Sequence, residues 1–136
     1  MRPALVLGIV LLCSACGSDN STATAPTTPA AGPGTQSLTA VMAPTGSAVR
    51  TFTASAAGTV TVTLNSTAPA TVLGLGIGIP GTATGGCDMT TTVNTSGGSA
   101  PQISASVDAG TFCAGAFDRG TVGSGGVLVT ITIVHP

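Results

Sequence analysis

Charge is scarce in this chain of 136 residues. It contains no lysine and no glutamate, and its three arginines and four aspartates make up 5% of the residues. Proteins that bind nucleic acid carry basic patches that neutralise phosphates, and no such patch exists in this sequence. The missing lysine also excludes a P-loop, because that motif places a lysine on the nucleotide phosphates. We therefore expect no nucleic-acid partner.

The sequence also contains a single histidine, His135, which is the penultimate residue. A general base beside a chain terminus is poorly held. The G-x-S-x-G motif that positions a nucleophilic serine is also missing. One histidine and two candidate cysteines cannot supply the four ligands of a zinc site. We interpret His135 as a solvent-exposed tail residue, and we expect no cofactor and no enzymatic activity.

Three aspartates are the remaining candidates for binding a metal ion: Asp88, Asp108 and Asp118. Together with Asn94 they could offer oxygen ligands to Ca²⁺, but their spacing is not that of an EF-hand. Aspartate side chains commonly hydrogen-bond to the backbone in turns. We interpret all three as turn residues, with weak calcium binding as the alternative.

Tryptophan and tyrosine are absent. Sugar-binding surfaces usually stack sugar rings on these side chains, so a carbohydrate site of that kind is not expected. The three phenylalanines, Phe52, Phe112 and Phe117, are predicted to lie in the core.

The N-terminal segment has the three parts of an export signal. Arg2 precedes an uninterrupted apolar run at residues 4–12, and small residues follow at 13–15. An apolar run this short cannot cross about 30 Å of hydrocarbon as a helix. Residues 1–15 are therefore predicted to be a signal peptide rather than a permanent anchor.

The sequence Cys13-Ser14-Ala15-Cys16 resembles the lipobox of bacterial lipoproteins, with Cys13 where leucine is usual. The resemblance implies cleavage before Cys16 and attachment of a diacylglyceryl group to its sulfur. Several acyl chains hold a protein firmly on a membrane, whereas one does so only marginally. We expect lipidation at Cys16 and anchoring in the cell envelope. Because no aspartate follows the cysteine directly, the outer membrane or cell surface is favoured. The alternative is ordinary secretion with a free thiol at Cys16.

Residues 16–37 are rich in threonine, serine and proline and contain no bulky apolar residue. Such a segment cannot bury enough apolar surface to fold. It is predicted to be a flexible linker that carries the lipidated cysteine at its start.

Residues 38–136 show the alternation of apolar and polar residues that is typical of β-strands. The clearest runs are 58–64, 72–79 and 126–134, and turn-forming residues separate them. No helical period is present. The sequence predicts an all-β domain, a small antiparallel β-sandwich of about seven or eight strands with a jelly-roll-like arrangement. We expect residues 126–134 to form a central strand.

Two cysteines remain in this domain, Cys87 and Cys113. Export places them in an oxidising compartment, where paired cysteines are the rule in small domains. We predict a Cys87–Cys113 disulfide that fixes a glycine-rich loop to the sheet. Two free thiols are the alternative.

Residues 110–118 and 127–134, with the preceding run 58–64, resemble the end of the bacterial pre-peptidase C-terminal domain. The resemblance implies a small sandwich that serves as an accessory module in secretion, stability or surface binding. We therefore expect a non-enzymatic, lipid-anchored protein of the cell envelope that acts as a structural or interaction module. The alternative is a surface binding module for a glycan or protein ligand, gripped by the loops at 81–86 and 120–126. Affinity enrichment of a partner would separate these two functions.

Overall fold

The computed structural model describes residues 33–136. The predicted signal peptide, the predicted lipidation site Cys16 and the predicted linker up to residue 32 lie outside the described residues. Eight β-strands and no helix occur within residues 33–136, which confirms the predicted all-β class. The strands are β1 (Gly34–Met42), β2 (Ser47–Ala54), β3 (Gly58–Ala68), β4 (Val72–Pro80), β5 (Cys87–Ser96), β6 (Ile103–Val107), β7 (Gly110–Phe117) and β8 (Val127–His135).

The strands form two antiparallel sheets of four. Sheet A has the order β1-β8-β3-β6, and sheet B has the order β2-β7-β4-β5. The first strand pairs with the last, the second with the seventh, the third with the sixth and the fourth with the fifth. This nested pairing is the topology of a jelly roll. The predicted β-sandwich is confirmed, with β8 as a central strand of sheet A.

The core lies between the sheets and follows from the alternation in the sequence. In β3, Val60, Val62 and Leu64 are completely buried, whereas Thr59 is exposed on the opposite face. Successive side chains of a strand point to opposite faces, so the valines and leucine face sheet B. The same rule buries alternate residues of β8 from Val127 onwards. Phe52 is buried as predicted, and Phe112 packs against the core from a partly exposed position.

The predicted start of the domain at Leu38 is wrong by four residues, because β1 begins at Gly34. Residues 34–37 have no bulky apolar side chain, and their composition therefore resembles that of the preceding predicted linker. They are held by backbone pairing with β8, from Gly34 opposite His135 to Ser37 opposite Thr132. The predicted linker 16–37 thus ends too late.

The prediction that His135 is a solvent-exposed tail residue is also wrong. His135 is the last residue of β8 and continues its inward-facing series, so its ring is half-buried. The ring stacks on Phe52 of sheet B with 5.2 Å between centroids. Its Nε2 lies 3.5 Å from the Gln36 side-chain nitrogen. His135 therefore closes one end of the sandwich.

Candidate functional site

Cys87 and Cys113 are joined by a disulfide, as predicted, with their Cα atoms 5.9 Å apart. Cys87 begins β5 and Cys113 lies in β7, and β4 is between these strands in sheet B. Strands two positions apart in a flat sheet are separated by roughly 9–10 Å. The shorter distance means that the end of the β4–β5 hairpin bends over the outer face of sheet B. Both cysteines are completely buried there.

The glycine-rich loop at residues 81–86 lies against its own sheet. A Cβ on Gly85 would collide with the Ser47 hydroxyl of β2, so the loop backbone reaches β2. Gly85 also has a φ of 69°, which favours glycine. The Asp88 carboxylate accepts a hydrogen bond from the Ala83 backbone N–H at 3.0 Å. The disulfide and these contacts fix the position of this loop, which was predicted from the sequence as one of two possible ligand-binding loops.

The second of these loops, at residues 120–126, is organised by Asp118. One carboxylate oxygen accepts hydrogen bonds from the backbone N–H groups of Gly120, Thr121 and Val122 at 2.8–3.1 Å. The other accepts the N–H of Thr45, in the turn between β1 and β2, at 2.8 Å. The predicted turn role of Asp118 is confirmed, and the side chain also joins two loops.

These hydrogen bonds change the acidity of Asp118. The Thr45 N–H contributes most, and desolvation of the carboxylate, the second-largest influence, acts in the opposite direction. The N–H groups of Thr121, Val122 and Gly120 add to the contribution of Thr45, and the four donors together outweigh the desolvation. They lower the pKa of Asp118 from 3.8 to about 2, because each one favours the charged carboxylate. The ionised form therefore stabilises the fold above about pH 4, and this contribution is lost as the pH falls towards 2.

Asp118→Asn is expected to lower the Tm at pH 7, because the amide nitrogen would face the Thr45 N–H donor. The parent protein should lose stability between pH 4 and pH 2, and the variant should show a flatter Tm profile over that window. Thermal unfolding followed by circular dichroism at several pH values measures both effects. Asp108→Asn is the matched control, since it removes the same charge from a carboxylate without a hydrogen bond in the described residues. A variant with the parental Tm and the parental acid slope would contradict the assignment.

The structure does not bring the three candidate calcium ligands together. Within residues 33–136, no three His, Cys, Asp or Glu side chains are grouped as a metal site. Asp88 caps the 81–86 loop, and Asp118 is occupied by four backbone donors. Asp108 stands apart from both, in the two-residue connection from β6 to β7. The described residues therefore give the calcium alternative no support.

Asp108 borders an open cleft of about 310 Å³ between the edge of sheet A and the edge of sheet B. The wall from sheet A is β6, and the wall from sheet B comes from β4, β5 and the start of β7. A β-bulge between Ile77 and Gly78 shifts the register there and leaves Thr90 as the extra residue of β5. The residues that line the cleft are Ile77, Gly78, Ile79, Thr90, Thr91, Ala105, Ser106, Val107, Asp108 and Phe112. We call it the β6 cleft.

The outer face of sheet A carries rows of hydroxyl groups, and we call it the hydroxyl face. The strand registers align threonines and serines across all four strands. They are Thr35, Ser37, Thr39, Thr59, Thr61, Thr63, Ser66, Ser104, Ser106, Thr130 and Thr132. No charged residue of the described chain belongs to this face, and Thr63 is buried beneath its neighbours. Val41 and Val134 add exposed apolar groups.

The sequence did not reveal the β6 cleft or the hydroxyl face as sites. The alternating threonines of residues 59–63 and 130–132 were a usable signal for the hydroxyl face, because alternation places them on one side of a strand. The cleft depends on the bulge in β5 and on the edge positions of β5 and β6. Neither feature can be read from local sequence.

Comparisons of the chain with protein-family models, with curated proteins and with solved structures find no match. The resemblances to bacterial lipoproteins and to the pre-peptidase C-terminal domain therefore stay predictions. Among residues 33–136, no helix is long and apolar enough to span a membrane.

Proposed function

We propose that this chain is a non-enzymatic, lipid-anchored protein of the cell envelope whose β-sandwich is a structural or interaction module. The observation that carries the proposal is the Cys87–Cys113 disulfide. Such bonds persist in oxidising environments such as the periplasm and the cell surface. The export pattern of residues 1–16, which ends at Cys16, supports the same location. In this proposal, the segment after Cys16 is the spacer between the membrane and the sandwich.

Lipidation at Cys16 is the experimental test of the anchor. Mass spectrometry of the mature N-terminus should find a lipid-modified cysteine, and Cys16→Ser should move the protein from the membrane fraction to the soluble fraction. Cys13→Leu is the matched control, because it removes a neighbouring cysteine and gives the usual lipobox residue. It should remain in the membrane fraction. A soluble, unmodified product that begins at Cys16 would refute the anchor.

The alternative function is a surface binding module for a glycan or a protein, and the hydroxyl face is the observation that favours it. Threonine is β-branched and stiff at χ1, so a row of threonines presents hydroxyl and methyl groups at little entropic cost. An uncharged face of this kind suits an uncharged ligand such as a neutral polysaccharide, bound by hydrogen bonds rather than by aromatic stacking. Retention of the protein on such a polysaccharide at high salt would favour this alternative over a purely structural role.

A further inference from the structure

The β6 cleft combines apolar walls with a single charge. Ile79 is 51% exposed, and Val107 and Phe112 are partly exposed beside it. The only charged residue in the lining is Asp108. A volume of about 310 Å³ lies at the lower end of the range for small-molecule sites. The cleft thus has room for one short aliphatic chain with a polar head.

The Asp108 carboxylate has no positive partner in the described part of the chain. Two arginines occur there, and both are engaged elsewhere. The Arg50 side chain donates a hydrogen bond to the Gln36 side-chain oxygen at 2.8 Å. The Arg119 guanidinium lies 5.9 Å from the centre of the Phe117 ring. Asp108 therefore presents an uncompensated negative charge at the border of an apolar cleft.

We propose that the β6 cleft binds a primary alkylammonium group, with the ammonium on Asp108 and the alkyl chain between the apolar walls. An ammonium offers three hydrogen-bond donors and no acceptor. Asp108 supplies a charged acceptor, and Thr91 adds a hydroxyl-bearing residue to the lining of the same cleft. An anionic ligand would be repelled, and a purely apolar one would leave the carboxylate unpaired. This inference is independent of the proposed membrane anchor.

The bulge in β5 adds a reason for the position of the site. It places Thr90 out of register, and the Thr90 hydroxyl donates to the Ile77 carbonyl at 3.3 Å. Bulges are frequent where a strand must redirect a side chain beside a functional site. Here the bulge sits in the wall opposite β6.

The same chemistry can come from a free diamine or from a lysine side chain of a peptide, and two probes distinguish them. The full-length Cys16→Ser chain avoids detergent, which would compete for an alkyl probe. We expect hexylammonium to shift the backbone amide resonances of Gly78, Thr91 and Asp108 in two-dimensional NMR, with a Kd of roughly 1 mM. Binding of 1,5-diaminopentane alone would assign a soluble amine. Binding of Nα-acetyl-lysine methylamide as well would assign peptide side chains.

Charge and shape are separated by variants and by neutral probes. Asp108→Asn should weaken hexylammonium binding roughly tenfold, because one charge-assisted contact is lost. Ile79→Thr should weaken it by roughly threefold through loss of apolar contact. Asp19→Asn is the matched control, since it removes the same charge from a residue far from the cleft in sequence, and it should bind like the parent. Equal binding of 1-hexanol, or an Asp108→Asn variant with parental affinity, would overturn the proposal. Shifts confined to residues away from the cleft would overturn it too.

Discussion

Replacing both Cys87 and Cys113 by alanine is expected to lower the free energy of unfolding by about 3.5 kcal/mol. The bridge closes a loop with a sequence separation of 26 residues. In the chain-entropy model, a loop of that length restricts the unfolded chain by about this amount. Domains of this size have total stabilities of roughly 5–15 kcal/mol. The expected fall in Tm is roughly 15–25 °C, measured by thermal unfolding under non-reducing conditions.

A reductant provides the internal control for this prediction. It should destabilise the parent protein and leave the double-alanine variant unchanged, because only the parent has a disulfide to lose. Thiol titration of the denatured, non-reduced Cys16→Ser chain should find no free thiol from Cys87 or Cys113. Two titratable thiols from these positions, or a double variant as stable as the parent, would contradict the assignment.

Hydrogen exchange should locate the effect of losing the disulfide. The loop at 81–86 rests on β2 through Gly85, and its hydrogen bonds are short-range ones such as Gly81 N–H to the Gly86 carbonyl at 3.1 Å. Without the bridge, little else ties it to β7. Faster exchange is therefore expected in this loop and at the start of β5 before it appears in the core strands.

The parts of the fold that were predictable from sequence are those in which local pattern and environment agree. Val60, Val62 and Leu64 alternate with threonines, and this pattern permits one orientation of β3. The disulfide was predictable because Cys87 and Cys113 are the only cysteines after residue 16 of the sequence. In both cases, residue type and position in the sequence were sufficient to predict the structure.

The errors occurred where long-range pairing overrides local composition. Residues 34–37 resemble the predicted linker in composition, yet pairing with β8 makes them part of sheet A. The same pairing extends β8 to His135, so its ring lies on Phe52 instead of in solvent. The β6 cleft was missed for a related reason, because it forms where two edge strands from different sheets face each other. No local window contains both partners of any of these contacts.

The outer faces of the two sheets are built differently, and the glycines of sheet B show how. In β4, Gly74 and Gly76 point outwards but are buried, because the Phe117 ring lies over Gly74 and Met89 lies over Gly76. The prediction that Phe117 lies in the core is therefore wrong, because its ring covers the outer face of sheet B. Sheet B covers its own outer face with these side chains and with the 81–86 loop. Sheet A leaves its hydroxyl face open, and for that reason we assign the alternative binding surface to sheet A.

The glycine at position 115 is expected to be, together with Gly78, among the least replaceable residues of this outer layer. Gly115 lies in β7 between Val49 of β2 and Gly76 of β4. A Cβ at this position would overlap the backbone carbonyl oxygen of Ala48 on the neighbouring strand. Because the obstacle is backbone in the middle of a sheet, it cannot move aside as a flexible side chain would.

Gly115→Ala is therefore expected to destabilise the protein by about 3 kcal/mol or more, the upper part of the range for overpacking. The opposing effect is smaller, since alanine restricts the unfolded chain by only about 0.4–1 kcal/mol. Gly123→Ala isolates that opposing effect, because no atom lies within 4 Å of its added Cβ. It should leave the Tm unchanged or raise it slightly. Gly76→Ala should fall between the two, since its Cβ would meet the Met89 sulfur at 2.7 Å and that side chain can shift. Urea unfolding of the three variants measures their free energies of unfolding and so gives the order of stability. A Gly115→Ala variant as stable as Gly123→Ala would show that β2 and β7 are not packed this closely.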